Sequence, residues 1–231
     1  MRFLRPLTLL ILLASSVRAD VGEVVDLALV LAVDVSGSID PREFALQREG
    51  YTAAFRDPRV IETIRSGTVG AIAVTYIQWS GWVEQRQMIG WTRLKDTQTA
   101  TAFADAIAAT GRFQEGGSTS ISGAILYALR LWETSPYPGR KLVIDISGDG
   151  KNNSGKPPDL ARDEAVAAGA TINGLPILSS DEPMMDAYYR DMVIGGHHSF
   201  VAPADGYARF GAAILDKLLR EIAQAPSGRA T

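Results

Sequence analysis

Leu27-Ala28-Leu29-Val30-Leu31-Ala32-Val33-Asp34-Val35-Ser36-Gly37-Ser38 is the stretch whose reading decides the fold. An apolar run without interruption, closed by a turn signal, reads as a strand buried on both faces, as in parallel sheets. Asp34, Ser36 and Ser38 then alternate at spacing two, with Gly37 between the serines, and form a polar loop at the strand's C-terminal end. In open α/β sheets ligands bind at that end, so this loop is also the first clue to function.

Working outward, Asp40, Pro41 and Glu43 have the order of an N-cap, a proline in the first helical turn and a capping-box partner. Phe44, Tyr51 and Phe55 continue at helical spacing, and Asp57-Pro58 ends that helix. Val60 to Ile64 is a second helical turn. Val69 to Trp79 is a strand with β-branched and aromatic content, and Glu84 to Trp91 its hairpin partner. A helix runs from Thr97 to about Ala109. A loop of glycines and hydroxyls then leads into a helix bearing Ile125, Leu129 and Trp132. Lys141 to Ile146 is another buried strand, ending in Ser147-Gly148-Asp149-Gly150. The pattern continues with a helix over Leu160–Ala168, a strand over Thr171–Ile177 and an insertion over Asp181–Met192 read as one helix. A short last strand over Ser199–Val201 and an amphipathic helix over Asp205–Ala223 complete it.

Strands alternating with helices predict a doubly wound, Rossmann-like α/β fold. Its sheet is mostly parallel with one antiparallel edge strand, and helices cover both faces. The expected organisation is a signal peptide over residues 1–19, one domain over 20–225 and a disordered tail over 226–231. Arg2 and Arg5, the apolar run Leu7–Ala14 and Val17-Arg18-Ala19 make up the expected Sec-type leader, cleaved after Ala19, with a periplasmic or secreted destination. Its apolar core is too short to span a bilayer.

The 231 residues carry a formal charge of −3 and no Cys. Loss of the leader removes three arginines and no acid, so the remainder is more acidic still. That balance argues against nucleic acid and anionic membranes as partners. Without Cys there is neither a disulfide framework nor a thiolate metal site.

Three polar loops should therefore converge on one edge of the sheet: Asp34-x-Ser36-x-Ser38, Ser118-Thr119 and Asp149. Their side chains offer oxygen and no nitrogen or sulfur, a set suited to a hard cation such as Mg²⁺ rather than to zinc or copper. With few carboxylates bound directly, such an ion keeps positive charge and can take an outside carboxylate in an open position.

Asp34-x-Ser36-x-Ser38 after the first strand, Gly116-Gly117-Ser118-Thr119 before a helix, and Asp149-Gly150 after a later strand resemble the metal-ion-dependent adhesion site (MIDAS) of von Willebrand factor type A domains. The resemblance covers Asp26 to about Ala223 and extends to exported bacterial proteins of unknown function that consist of a lone domain of this type. It implies that Ser36, Ser38 and Thr119 ligate Mg²⁺ (or Mn²⁺ or Ca²⁺). Asp34 and Asp149 would bind directly or through water and orient the shell. It further implies a partner protein offering Asp or Glu, and no catalytic residue. Two departures stand out. Ser118 could take the role given to Thr119, and Ser-Gly-Asp-Gly replaces the family's usual Thr-Asp-Gly.

Two other classes compete. A metal-dependent hydrolase or phosphotransferase would use Asp34 as nucleophile, but Ser36 stands where a second acid is needed and Lys151 is the one basic candidate. An interaction domain could also work without metal. Elsewhere, Asp145 inside a strand reads as a partnered buried or edge carboxylate. His197-His198 on an extended segment should point to opposite faces, a poor zinc site. Trp79, Trp82 and Trp91, and Met184-Met185 with Tyr188-Tyr189, read as packing.

Overall fold

The computed structural model describes residues 23–113 and 117–224; the expected leader, Gly116 and the expected tail lie outside them. Strands β1 (Leu27–Asp34), β2 (Ile72–Trp79), β3 (Gln85–Leu94), β4 (Leu142–Gly148) and β5 (Ala170–Pro176) form one sheet in the order β3-β2-β1-β4-β5. β1 pairs in parallel with β2 and β4, and β4 with β5. β3 is the antiparallel edge strand, its register with β2 shifting around Val74 to Ile77.

β1 is central because both of its faces are apolar. Leu27, Leu29, Leu31 and Val33 enter one core with α1 (Pro41–Arg56), α2 (Pro58–Arg65), α3 (Thr97–Ala109) and α7 (Tyr207–Ala223). Ala28, Val30 and Ala32 enter the other, with α4 (Ile121–Glu133), α5 (Pro158–Ala167) and α6 (Met185–Tyr188). No residue of β1 is exposed. Burying apolar area at about 25 cal/mol per Å² on both faces makes this strand the fold's main anchor.

The helix ends follow the sequence closely. Asp40 accepts the amides of Arg42 and Glu43 at 2.7 and 2.8 Å, and Glu43 Oε2 accepts the amide of Asp40 at 2.8 Å. That capping box fixes where α1 begins and so the length of the loop after β1. Asp57 closes α1 and caps α2.

Two expectations need correction. Ser199–Val201 is not a sheet strand. It belongs to a strap that crosses the open edge of β5 through isolated bridges at Gly195, Val201 and Ala204. The Ala202 and Ala204 amides donate to Gly174 O and Pro176 O, each at 2.9 Å, so the edge is covered, and Pro203 between them offers no amide on the strap's outer side. The Asp181–Met192 insertion is not one α-helix either. α6 passes into a π-helical turn over Tyr189–Val193, and that wider turn keeps Met185, Tyr189 and Val193 all in the core.

Asp145 is fully buried on β4, and its partner is Lys217 of α7, 2.7 Å away. The His197 and His198 rings lie 3.8 Å apart instead of on opposite faces, because His198 adopts φ +58° and the chain is not extended there. Trp79 is wholly buried, Trp91 Nε1 donates to Leu131 O at 3.0 Å, and Trp82 is half-exposed at the hairpin turn.

Candidate metal centre

The connection leaving β1 runs through α1 and α2 on one face, and that leaving β4 runs through α5 on the other. The two adjacent strands thus part at their C-terminal ends and open a crevice, the switch point of the sheet. Asp34 ends β1 there, and Ser147-Gly148 brings Asp149 to the same rim from β4.

Asp34 Oδ1 accepts the Ser36 amide at 2.7 Å, which turns the chain sharply and aims Ser36 and Ser38 together, their Oγ atoms 3.3 Å apart. Arg112 Nη2 donates to the carbonyls of Val35 and Ser36, both at 2.8 Å, and holds that turn from behind. The Gly37 amide donates to Gly117 O at 3.0 Å, joining this loop to the one before α4. Thr119 Oγ1 lies 3.2 Å from Ser36 Oγ. The Thr119 amide donates to Asn153 Oδ1 at 2.8 Å, and Thr119 O accepts the amides of Asn153 and Ser154. Ser38 Oγ donates to Asp149 Oδ1 at 2.7 Å, and Tyr207 OH, at the first position of α7, donates to Asp149 Oδ2 at 2.9 Å.

The structure therefore brings together all five of the residues singled out in the sequence: Asp34, Ser36, Ser38, Thr119 and Asp149. Of the two hydroxyls before α4, Thr119 is buried in this cluster, whereas Ser118 is exposed and lies against Gly81 at the hairpin turn. Lys151 pairs with Glu182 at 2.7 Å. Ser38, Thr119 and Asp149 of the cluster line a cleft of about 620 Å³ together with Glu43, Asp181 and Glu182.

The electrostatics of the cluster are unbalanced. Asp34 is wholly buried, and its Oδ2 meets no hydrogen-bond donor among the described residues. Burial, and next the charge of Asp149, push its pKa up to about 7, against the pull of the Ser36 amide. Burial and the same two aspartates also raise the Tyr189 phenol. A carboxylate so placed needs either a proton or a cation. The neighbouring oxygens, neutral hydroxyls and one further carboxylate, are of the type a hard divalent ion takes. The residues present thus fit such an ion.

Sequence reasoning missed Tyr207, Arg112 and Asn153 and read Tyr189 as packing alone. None belongs to a spaced motif, and each reaches the site from an element whose position only the tertiary fold sets. Gly148 was quoted only as part of a loop. A Cβ there would stand 2.7 Å from Asp34 Oδ2 and 3.1 Å from Tyr189 OH. Gly148→Ala is expected to cost about 1–3 kcal/mol in urea unfolding through this overpacking, and an unchanged midpoint would refute so tight a fit.

The fold is that of a von Willebrand factor type A-like domain. The chain belongs to the family described as protein of unknown function DUF1194, which it matches over residues 24–226. No curated protein matches the sequence. Among solved structures it is similar to proximal thread matrix protein 1 from the mussel byssus, with TM-score 0.59 and 16% identity over 87% of this chain and 46% of that one. That protein is also known with a zinc-occupied MIDAS motif. A von Willebrand factor type A protein from Catenulispora acidiphila gives TM-score 0.54 and 19% identity over 87% and 43%. The vWF domain of the type V pili tip protein Mfa5 from Porphyromonas gingivalis gives 0.60 and 12% over 90% and 99%. The chain spans less than half the length of the first two of these chains. At these identities the likeness establishes the fold.

Proposed function

We propose that this protein is an exported protein-binding module whose adhesion depends on a divalent cation held at a MIDAS-type centre. Ser36, Ser38 and Thr119 ligate the ion, and Asp34 and Asp149 ligate it directly or through water. Mg²⁺ is the favoured ion, with Mn²⁺ and Ca²⁺ as the alternatives. The bound ion supplies a Lewis-acidic point that a partner protein's Asp or Glu completes. The observation that carries this reading is the buried Asp34 Oδ2, which has no donor among the described residues and feels the charge of a second carboxylate, Asp149. The byssus matrix protein with its zinc-occupied MIDAS motif and the pilus tip protein among the structural neighbours agree with it. A phosphotransferase gains no support from Lys151, which is engaged by Glu182.

Isothermal titration of the purified domain with Mg²⁺ should give one site. Asp34→Ala is expected to abolish binding, and Thr119→Ala, which keeps both carboxylates, to weaken it at least about tenfold, the loss of one ligand being worth more than about 1.4 kcal/mol. Undiminished binding by both variants would remove the proposed centre.

A further inference from the structure

Beneath the cleft, three ionisable side chains are sealed between the sheet and α7. Asp145 of β4, Lys217 and Glu221 are each without solvent exposure. Lys217 Nζ stands 2.7 Å from Asp145 Oδ1 and 2.6 Å from Glu221 Oε1. The hydrogen bond of Lys217 goes to Glu221. The amine meets Asp145 as a close ion pair off the line of a hydrogen bond, and neither Asp145 oxygen has an aligned donor among the described residues. Asn173 Nδ2 donates to Glu221 Oε1 at 2.8 Å and fixes that carboxylate. The Phe200 ring lies 5.8 Å from Nζ, with the Arg220 guanidinium 3.7 Å from its centroid. Further titratable neighbours are Tyr51, whose hydroxyl pairs with Ser147 Oγ at 3.2 Å, Tyr189, within reach of the Asp145 charge, and Lys141, within reach of the Glu221 charge.

We propose that Lys217 and Asp145 condense to an amide cross-link joining α7 to β4, with Glu221 as the proton acceptor. Two buried acids face one ammonium, so the neutral arrangement carries one proton on a carboxyl group. Asp145 is that group, because burial and the Glu221 charge raise its pKa against the pull of Lys217. Glu221 takes one proton from the Lys217 ammonium, leaving a desolvated amine, which is a competent nucleophile. Nζ forms a bond to Asp145 Cγ, and the Cγ–OH bond breaks. The hydroxyl leaves with the remaining amine proton as water, and Glu221 ends protonated. No oxidant, metal or other reactant is needed. Fixing amine and acid in contact supplies effective molarities of about 10⁵–10⁸ M, which an open pair in water lacks.

The test is mass spectrometry of the purified, denatured full chain. The cross-linked protein is lighter than its sequence, after any N-terminal processing, by one water. Trypsin should release Leu142–Lys151 joined to Phe210–Arg220, because amide-bonded Lys217 is no longer a cleavage site. Glu221→Gln should restore the full mass, with circular dichroism reporting that it is folded. Recovery of unlinked Leu142–Lys151 together with cleavage at Lys217 from the wild type would overturn the proposal. A cross-link forming as completely in Glu221→Gln would overturn the role given to Glu221. A Mg²⁺ titration of the same preparation reads the metal centre separately, so the two conclusions stand or fall independently.

Discussion

Raising the pH from about 5 to about 8 is expected to destabilise the metal-free protein, and Mg²⁺ to restore most of the loss. The group responsible is Asp34, whose pKa is raised from 3.8 to about 7 by burial and by Asp149. A carboxyl that holds its proton more tightly when folded stabilises the fold while protonated. That contribution is complete below the unfolded pKa, declines as pH rises from about 4 to about 7, and is gone above that window. At about 1.4 kcal/mol per unit the full effect is on the order of 4 kcal/mol. Asp57, lowered first by the Arg59 guanidinium and then by the Arg59 amide, and Asp96, lowered by the Thr99 amide and hydroxyl, act in the opposite sense, but they titrate below the window. Asp145, wherever it remains a free acid, acts in the same sense as Asp34. Asp34→Asn separates the two, because it removes the share of the slope that Mg²⁺ reverses. The measurement is a set of urea unfolding curves at several pH values, with and without saturating Mg²⁺. A wild-type midpoint that rises with pH, or one indifferent to Mg²⁺ at pH 8, would refute the account.

Much of the fold is written locally. The unbroken Leu27–Val33 run reads as a doubly buried strand although its partners β2 and β4 are distant in sequence, and Asp40-Pro41-x-Glu43 specifies its own helix start through neighbours within three residues. Ser199–Val201 misleads because its apolar pattern resembles an edge strand, whereas the strap around it meets the β5 edge through isolated bridges. The insertion misleads for a related reason. The π-helical turn answers the demand of Tyr189 for the core, which no local propensity announces.

The site divides along the same line. Asp34, Ser36, Ser38, Thr119 and Asp149 are legible because each sits at a strand end or just before a helix start, where topology alone dictates convergence. Tyr207 is illegible because its hydroxyl depends on where α7 docks, and a tyrosine at a helix start carries no spacing signal. The same holds for Lys217. In sequence it occupies an ordinary amphipathic helix, and its burial follows only once Asp145 and Asn173 lie beneath α7.

That burial makes Lys217→Met the most damaging substitution expected away from the cleft. Methionine fills similar space, so little of the loss is packing. It leaves Asp145 and Glu221 in the interior with no cation between them, and Glu221 Oε1 keeps only the Asn173 amide. Breaking a buried ionic group by removing one member costs about 3–5 kcal/mol, because the carboxylate charge left behind has lost both water and partner. Any amide already formed between Lys217 and Asp145 adds its own contribution to the loss. Replacing the whole trio at once, by Asp145→Leu, Lys217→Met and Glu221→Leu, removes the charges along with the cation. Such exchanges are often neutral or stabilising by about 1–4 kcal/mol. Here the Asn173 amide loses its acceptor, an unmade buried hydrogen bond worth about 1–3 kcal/mol. Asn173 Oδ1 still serves the Phe200 amide at 3.1 Å, so the residue has to stay. The triple variant should therefore unfold well after the single one. The order of their urea midpoints decides between an ionic cluster that α7 depends on and a merely crowded one. Equal midpoints for Lys217→Met and the wild type would show that the two acids need no countercharge and that α7 is held by Phe210, Ile214 and Leu218 alone.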